Sequence, residues 1–162
     1  MNCDLWLLPL EGDRQPIPFV NTEFNETNGR FSPDMRWVAY ESNETGITEI
    51  YVRAFSEDSA GASAAAGGEV IVSKGGGIAP RWRMDSKELY YRAPDGKVMM
   101  VDFAGGTRLE AGIPTPLFNA PLAGGYWEAA SDGQRFLLLT PSIESKPSPF
   151  NVILNWTSSL KK

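Results

Sequence analysis

One short pattern occurs three times in this chain and constrains its fold more than any other feature. The three copies read FSPDMRWVAY at 31–40, WRMDSKELYY at 82–91 and EAASDGQRFL at 128–137. Their shared aspartates, Asp34, Asp85 and Asp132, are 51 and 47 residues apart. A repeat of this length suits one four-stranded unit of an array, in which each unit buries its apolar faces against its neighbours.

A second element recurs downstream of each aspartate. It reads EIYVRAF at 49–55, KVMMVDF at 97–103 and NVILNW at 151–156, and a further copy, DLWLLPL, occupies 4–10. In these runs, apolar residues occupy both of the alternating sets of positions, which point to opposite faces of a strand. The pattern predicts strands that are covered on both faces. A helix is the competing interpretation, but the short length and the β-branched and aromatic content favour strands.

Two further segments carry prolines two residues apart, PIPFV at 16–20 and PTPLF at 114–118. In a strand, such prolines remove two hydrogen-bond donors from the same side. The segments are therefore predicted to be the outermost strands of their units, although a proline-rich loop is the alternative. EVIVS at 69–73 fills the same position without proline.

The resulting order is a short strand before each aspartate turn, a second after it, the apolar third and an outer fourth. This order predicts an all-β fold, a partial β-propeller of about three four-stranded antiparallel blades that is not closed within one chain, since known propellers have about four to eight. One domain is predicted over 1–162, with the third and fourth strands of a preceding blade at 4–20, blades at 26–73 and 78–118, and an incomplete blade at 125–157.

The composition excludes much catalytic chemistry, because the chain contains no histidine. Serine–histidine and cysteine–histidine nucleophiles and imidazole metal sites are therefore ruled out. Ser63 lies among alanines and not in a nucleophile elbow, and Asp102-Phe103 lacks the adjacent glycine and the context of a kinase signature. We predict no enzyme activity, and no catalytic, cofactor-binding or metal-binding residues.

Two patterns have both a functional and a structural interpretation. One aspartate per unit suggests calcium, but none has EF-hand spacing, so hydrogen bonding to its own turn is favoured. The run Gly75-Gly76-Gly77 suggests a phosphate cradle, but no helix is predicted after it, so a flexible crossing between blades is favoured.

The charge pattern limits the partners. With a net charge of −5 and a pI near 4.8, the chain is not expected to bind nucleic acid. Arg81, Arg83 and Lys87, interleaved with Trp82, form either an anion patch or, as we favour, the solvated side of two paired strands. The apolar runs are too short for membrane insertion, no signal peptide is visible, and Cys3 has no cysteine partner within the chain.

The block from FSPDMRWVAYES to EIYVRAF is similar to the repeat of TolB-type propellers, written SPDG…IAF…IYV, and the likeness extends over nearly the whole chain. Through GGGIAPRWRMDSKELYY and LNWTSSLKK, the chain more closely resembles the C-terminal propeller portion of some bacterial serine/threonine kinases and TolB-like proteins. The resemblance implies a binding or sensing module in a periplasmic or other extracytoplasmic location.

The chain departs from that family pattern at the residue after each turn aspartate. The family glycine is kept only at Gly133, whereas Met35 and Ser86 occupy the other two copies. If the turn is a type I turn followed by a left-handed residue, Met35 must adopt a positive φ at a cost of about 1 kcal/mol. The departure therefore predicts either strain at Met35 or a changed turn type there.

Propeller topology places the three aspartate turns at one end, the aspartate end. The opposite end, here called the loop end, is predicted to collect the loops 22–30, 42–48, 73–79, 93–96, 119–125 and 141–146. Because binding residues concentrate on loops held by a rigid scaffold, a partner protein or small ligand is expected there.

Two function classes follow. The first is a non-catalytic module for protein–protein interaction or ligand sensing. The alternative is an accessory or sensor domain of a larger enzyme, a serine/threonine kinase or a propeller-containing peptidase. In either case, open blade edges predict a homo-oligomer, most simply a dimer with a two-fold axis.

Overall fold

The computed structural model of the chain describes residues 2–56, 68–104, 109–120 and 126–141. Within these ranges there are twelve strands, and no helix that could span a bilayer. The strands are β1 (Leu5–Leu7), β2 (Ile17–Val20), β3 (Glu26–Phe31), β4 (Trp37–Ser42), β5 (Glu49–Ala54), β6 (Glu69–Ile71), β7 (Ile78–Trp82), β8 (Glu88–Arg92), β9 (Lys97–Asp102), β10 (Thr115–Asn119), β11 (Trp127–Ala129) and β12 (Phe136–Leu138).

These strands form four antiparallel sheets that follow one another along the chain. They are the N-terminal pair β1-β2, blade I (β3-β4-β5-β6), blade II (β7-β8-β9-β10) and the C-terminal pair β11-β12. No sheet of the described residues closes on itself, and the predicted all-β partial propeller is confirmed. The predicted strand at 151–156 lies outside the described residues.

The proline-bearing segments are edge strands and not loops. β2 contains Pro18 and pairs with β1, and β10 contains Pro116 and is the outermost strand of blade II. A proline at either place removes a donor that no neighbouring strand in these sheets needs. The edge prediction is therefore confirmed.

The core lies in the seams between successive sheets. Blade I and blade II share the largest apolar cluster, which contains Trp37, Ala39, Ile50, Val52, Ala54, Val72, Leu89, Tyr91, Val101 and Phe103. The opposite face of blade I contributes Tyr40 and Tyr51 to a cluster with Val20 of the N-terminal pair. Because each internal blade is covered on both sides, apolar side chains lie on both faces of its central strands.

The aspartate turns share one backbone geometry. Met35, Ser86 and Gly133 have φ values of 56°, 61° and 67°, and each donates its N–H to the carbonyl three residues earlier at 2.9 Å. The predicted left-handed conformation of Met35 is confirmed. Without glycine, two of the three turns must hold a side chain in a region that L-residues disfavour.

The innermost strands of blades I and II contain a repeated bulge that the sequence analysis did not predict. The register shifts between Thr27 and Arg30 in β3 and between Ile78 and Arg81 in β7. Asn28 and Ala79, at equivalent positions, have φ values of 53° and 56°. Each bulge bends the strand and releases a backbone N–H from the ladder.

Candidate binding cleft at the loop end

A cleft of about 340 Å³ opens at the loop end, between blades I and II. Three of the predicted loops meet there: the β4–β5 loop, the β6–β7 crossing and the β8–β9 loop. The cleft is lined by Ile47, Thr48, Gly75, Gly76, Gly77, Ile78, Arg92, Ala93 and Pro94. A neighbouring pocket of about 360 Å³ shares Gly75, Ala93 and Pro94 and adds Lys74, Asp95, Lys97, Met99 and Pro116.

A buried carboxylate holds the glycine crossing in place. Glu49 is 6% exposed and accepts hydrogen bonds from the N–H groups of Gly75 at 3.1 Å and Gly76 at 3.0 Å. It also accepts one from the hydroxyl of Ser73. The crossing is therefore anchored to blade I, and the prediction that it is flexible is wrong.

The third glycine completes the floor of the cleft by close packing. Gly77 donates its N–H to the carbonyl of Thr48 at 2.9 Å. A Cβ at Gly77 would lie 2.9 Å from side-chain atoms of Ile50 and Tyr91. Because all three glycine N–H groups are bonded within the protein, the run does not form a phosphate cradle.

The side chains that form the walls of the cleft are mostly apolar. Ile47 has 50% of its surface exposed, and Ile78, Ala93 and Pro94 extend the apolar lining. Behind the floor, burial and the neighbouring charge of Glu49 raise the pKa of Tyr91 to about 12, so its hydroxyl stays protonated at neutral pH. The cleft can exclude water from an apolar side chain but presents no activated nucleophile.

The three repeated aspartates lie at the aspartate end, away from this cleft, and serve their own turns. Asp34, Asp85 and Asp132 each accept a hydrogen bond from the N–H two residues later, at 3.3, 3.0 and 2.9 Å. The prediction that each aspartate bonds to its own turn is confirmed. Across the described ranges, no three His, Cys, Asp or Glu side chains gather into a possible metal site.

The basic group around Trp82 is split between two separate sets of contacts. Arg83 pairs with Asp85 at 2.6 Å and with Glu88, and hydrogen bonding to Arg83 lowers the pKa of Asp85 to about 2. Arg81 is only 11% exposed and donates to the carbonyl of Trp127 at 3.0 Å and to Glu128 at 3.2 Å. The predicted solvated face is therefore wrong for Arg81, which joins blade II to the C-terminal pair.

A second buried glutamate was missed by sequence reasoning. Glu41 accepts hydrogen bonds from the side-chain amide of Asn28 at 2.7 Å and from the N–H of Ala79 at 2.6 Å. Both donors lie at the repeated bulges, so Glu41 receives the N–H that the β7 bulge releases and ties blade I to blade II. The sequence signal for this contact is Glu41 itself, a glutamate that directly follows the apolar run of β4. A second signal is the polar pair Asn28-Gly29 in β3, the strand that pairs with β4.

Comparison with solved structures identifies the fold. The chain is similar to the crystal structure of TolB from Acinetobacter baumannii, with a TM-score of 0.58 and 20% identity, over 82% of this chain and 31% of that chain. The chain has a TolB-like β-propeller fold. No protein-family model matches the sequence, and no curated protein sequence matches it.

The TolB-like chain spans only 31% of the solved TolB chain. The antiparallel strand order of blades I and II is what brings the β4–β5, β6–β7 and β8–β9 connections to one end of this chain. The likeness to kinase propeller portions, the accessory-domain alternative and an extracytoplasmic location stay predictions.

Proposed function

We propose that this chain is a non-catalytic interaction module that binds a segment of a partner protein in the loop-end cleft. The observation that carries the proposal is an apolar cleft with a fixed floor. Three loops of two packed blades form it, and Glu49 anchors its central crossing. Binding sites of this kind combine exposed loops with a rigid scaffold.

The chemistry of the lining favours an aliphatic side chain of the partner over a charged metabolite. The N–H groups of Gly75, Gly76 and Gly77 are all bonded within the protein and cannot cradle a phosphate. Ile47 and Pro94 are exposed beside this floor and offer apolar surface. Burying one aliphatic side chain against them is worth about 1.5–3 kcal/mol.

A displayed library of short random peptides, selected on the immobilised chain, tests the proposal. We expect the selected peptides to share an aliphatic residue and to lose about tenfold or more in affinity for the Ile47→Asp variant, because about 1.4 kcal/mol corresponds to a tenfold change. Ile113→Asp is the matched control, since Ile113 is 87% exposed and lies outside the cleft. An equal loss with both variants, or no selected peptide, would contradict the proposal.

A further inference from the structure

Arg30, Arg81 and Glu128 occupy the same position in the first strands of three successive sheets. They lie directly opposite equivalent residues of the second strands, Ala39, Tyr90 and Leu137. Directly opposed residues share one face of a sheet, and Ala39 belongs to the apolar cluster between blades I and II. Arg30 therefore lies on the face of blade I that packs against blade II, just as Arg81 faces the C-terminal pair.

Arg81 finds two hydrogen-bond acceptors in the next sheet, the carbonyl of Trp127 and the carboxylate of Glu128. The equivalent residues in front of Arg30 are Pro80 and Arg81. The carbonyl of Pro80 already accepts a hydrogen bond from Nη1 of Arg81 at 2.7 Å, and the second position carries a cation in place of a carboxylate. Arg30 is therefore set against a like charge where its counterpart in blade II has an ion pair.

Arg30 has no counter-ion within the described ranges. Its side chain is exposed, and it makes no hydrogen bond or ion pair with another residue there. Blade II nevertheless packs directly against this residue, because Nε1 of Trp82 donates to the carbonyl of Arg30 at 3.2 Å. Burial and the neighbouring charge of Arg30 both lower the pKa of Arg81. The two cations therefore act on one another across the seam between the blades.

The carboxylate of Glu41 also acts on Arg81, but it is engaged inside the seam. Glu41 is 7% exposed and accepts hydrogen bonds from Thr27, Asn28 and the N–H of Ala79. Arg30 keeps an exposed guanidinium group, so an anion from outside can approach it.

We propose that Arg30 and Arg81 bind an oxyanion, a phosphate or carboxylate group, at the inner edge of the seam between blades I and II. Guanidinium groups present paired N–H donors that fit two oxygens of such a group. The bound anion would offset the two like charges, as Glu128 offsets Arg81 in the next seam. The site is separate from the loop-end cleft, whose lining contains neither Arg30 nor Arg81, so it does not depend on the proposed function.

Thermal unfolding in sodium phosphate tests this site. Sodium chloride at equal ionic strength is the reference, because any salt screens like charges. Phosphate also stabilises proteins in general by its exclusion from their surface, so the response of Arg30→Gln is compared with that of a matched control. The control is Arg14→Gln, since Arg14 is exposed in the connection between β1 and β2.

A ligand that binds only the folded state raises its stability. We therefore expect phosphate to raise the melting temperatures of the unmodified chain and of Arg14→Gln by at least about 2 °C more than that of Arg30→Gln. A parallel series in sodium succinate distinguishes the two ligand classes. A larger difference between the variants in phosphate assigns the site to a phosphate group, and a larger difference in succinate assigns it to a carboxylate.

Arg30→Glu tests the geometry without any ligand. A carboxylate at this position is expected to pair with Arg81, so Arg30→Glu should melt above Arg30→Gln at low ionic strength. The difference is expected to decrease as chloride is added, because salt screens an exposed ion pair. Position 30 is exposed, so both variants are expected to fold, which circular dichroism checks.

Two results would overturn the proposal. One is an equal response of Arg30→Gln and Arg14→Gln to phosphate and to succinate, as expected if a carboxylate of the chain itself already pairs with Arg30. The other is an Arg30→Glu variant that melts no higher than Arg30→Gln at low ionic strength, which would show that position 30 does not face Arg81.

Discussion

At the scale of single residues, left-handed backbone positions show how tightly successive turns pack. The turn of the C-terminal pair leans on blade II, because a Cβ at Gly133 would lie 2.5 Å from the hydroxyl oxygen of Tyr90 and 2.7 Å from Cδ of Arg83. Gly12 has nearly the same φ, 69° against 67°, but has no atom within 4 Å of its would-be Cβ. A side chain at either glycine would have the same backbone strain, but only one at Gly133 would also collide with neighbouring atoms.

Gly133→Ala is therefore expected to destabilise the protein more than Gly12→Ala. Both variants place a Cβ in the left-handed region at a cost of about 1 kcal/mol, and Gly133→Ala adds the displacement of Tyr90 and Arg83, for a total of about 2 kcal/mol or more. Urea unfolding followed by tryptophan fluorescence measures the difference. Equal losses of stability for the two variants would show that the turn does not press on blade II.

The ion pair of Asp85 with Arg83 predicts a pH dependence. The pKa of Asp85 falls from 3.8 to about 2 in the folded state, chiefly because Arg83 donates hydrogen bonds to the carboxylate. A lowered folded pKa means that the ionised carboxylate contributes stability above about pH 4, and that this contribution disappears as the pH falls through about 2.

Asp85→Asn removes this titrating carboxylate. We expect the variant to be less stable than the unmodified chain at neutral pH, and the two melting temperatures to converge between about pH 4 and pH 2. Thermal unfolding in a series of buffers measures both. A difference that stays constant down to about pH 2 would assign the effect of the substitution to something other than ionisation.

At the scale of elements, the glycine crossing depends on one carboxylate. Glu49→Gln replaces one accepting oxygen with an NH₂ group that faces a glycine N–H, so one buried donor loses its partner. The expected loss is about 2 kcal/mol of unfolding free energy, measured by urea denaturation. Glu110→Gln, at an exposed position, is the matched control and is expected to change stability by less than about 0.5 kcal/mol. Similar losses from both would contradict the anchoring role.

The elements themselves could be predicted from the sequence because local chemistry determines them. Paired prolines can only be tolerated at an edge, and the aspartate turn carries its own hydrogen-bond acceptor at Asp34, Asp85 and Asp132. The bulge at Ala79 could not be predicted this way, since neither alanine nor a residue preceding proline favours a positive φ. There, the tertiary hydrogen bond from the Ala79 N–H to Glu41 overrides the local preference.

The loop end could be predicted as a surface but not as a cleft. Blade topology alone brings the β4–β5, β6–β7 and β8–β9 loops together. Whether Gly75 and Gly76 are mobile or fixed depends on Glu49, which lies 26 and 27 residues away in the sequence. Arg81 was misjudged for the same reason, because its partners Trp127 and Glu128 belong to another sheet.

At the scale of the whole molecule, stability is distributed unevenly along the arc. Ala39, Ile50, Val52, Leu89 and Val101, all in the central strands of blades I and II, are fully buried. The edge strand β10 is mostly exposed. Stacked units of this kind are stabilised chiefly by contacts with their nearest neighbours.

Amide hydrogen exchange is therefore expected to be slowest in β4, β5, β8 and β9. Amides of β1, β2 and β10 are expected to exchange at least tenfold faster, because edge strands open without breaking the central seam. Mass spectrometry of peptic fragments resolves these segments. Uniform protection across all of these strands would instead indicate a single cooperative unit.

A hydrogen bond joins the aspartate turns of blades I and II, and it requires the two blades to follow one another in this order. The hydroxyl of Ser86 accepts the N–H of Asp34 at 3.1 Å, so the turn of blade II receives a donor from the turn of blade I. The equivalent residue in blade I is Met35, which has a thioether, and in the C-terminal pair it is Gly133, which has no side chain. Neither has a hydroxyl group. Exchanging the order of the two blades in a rearranged gene would place methionine where the hydroxyl is needed. The three turns have the same backbone conformation, but the residue after the aspartate differs in each. Of these residues, Ser86 has the hydroxyl that accepts the hydrogen bond from the preceding turn.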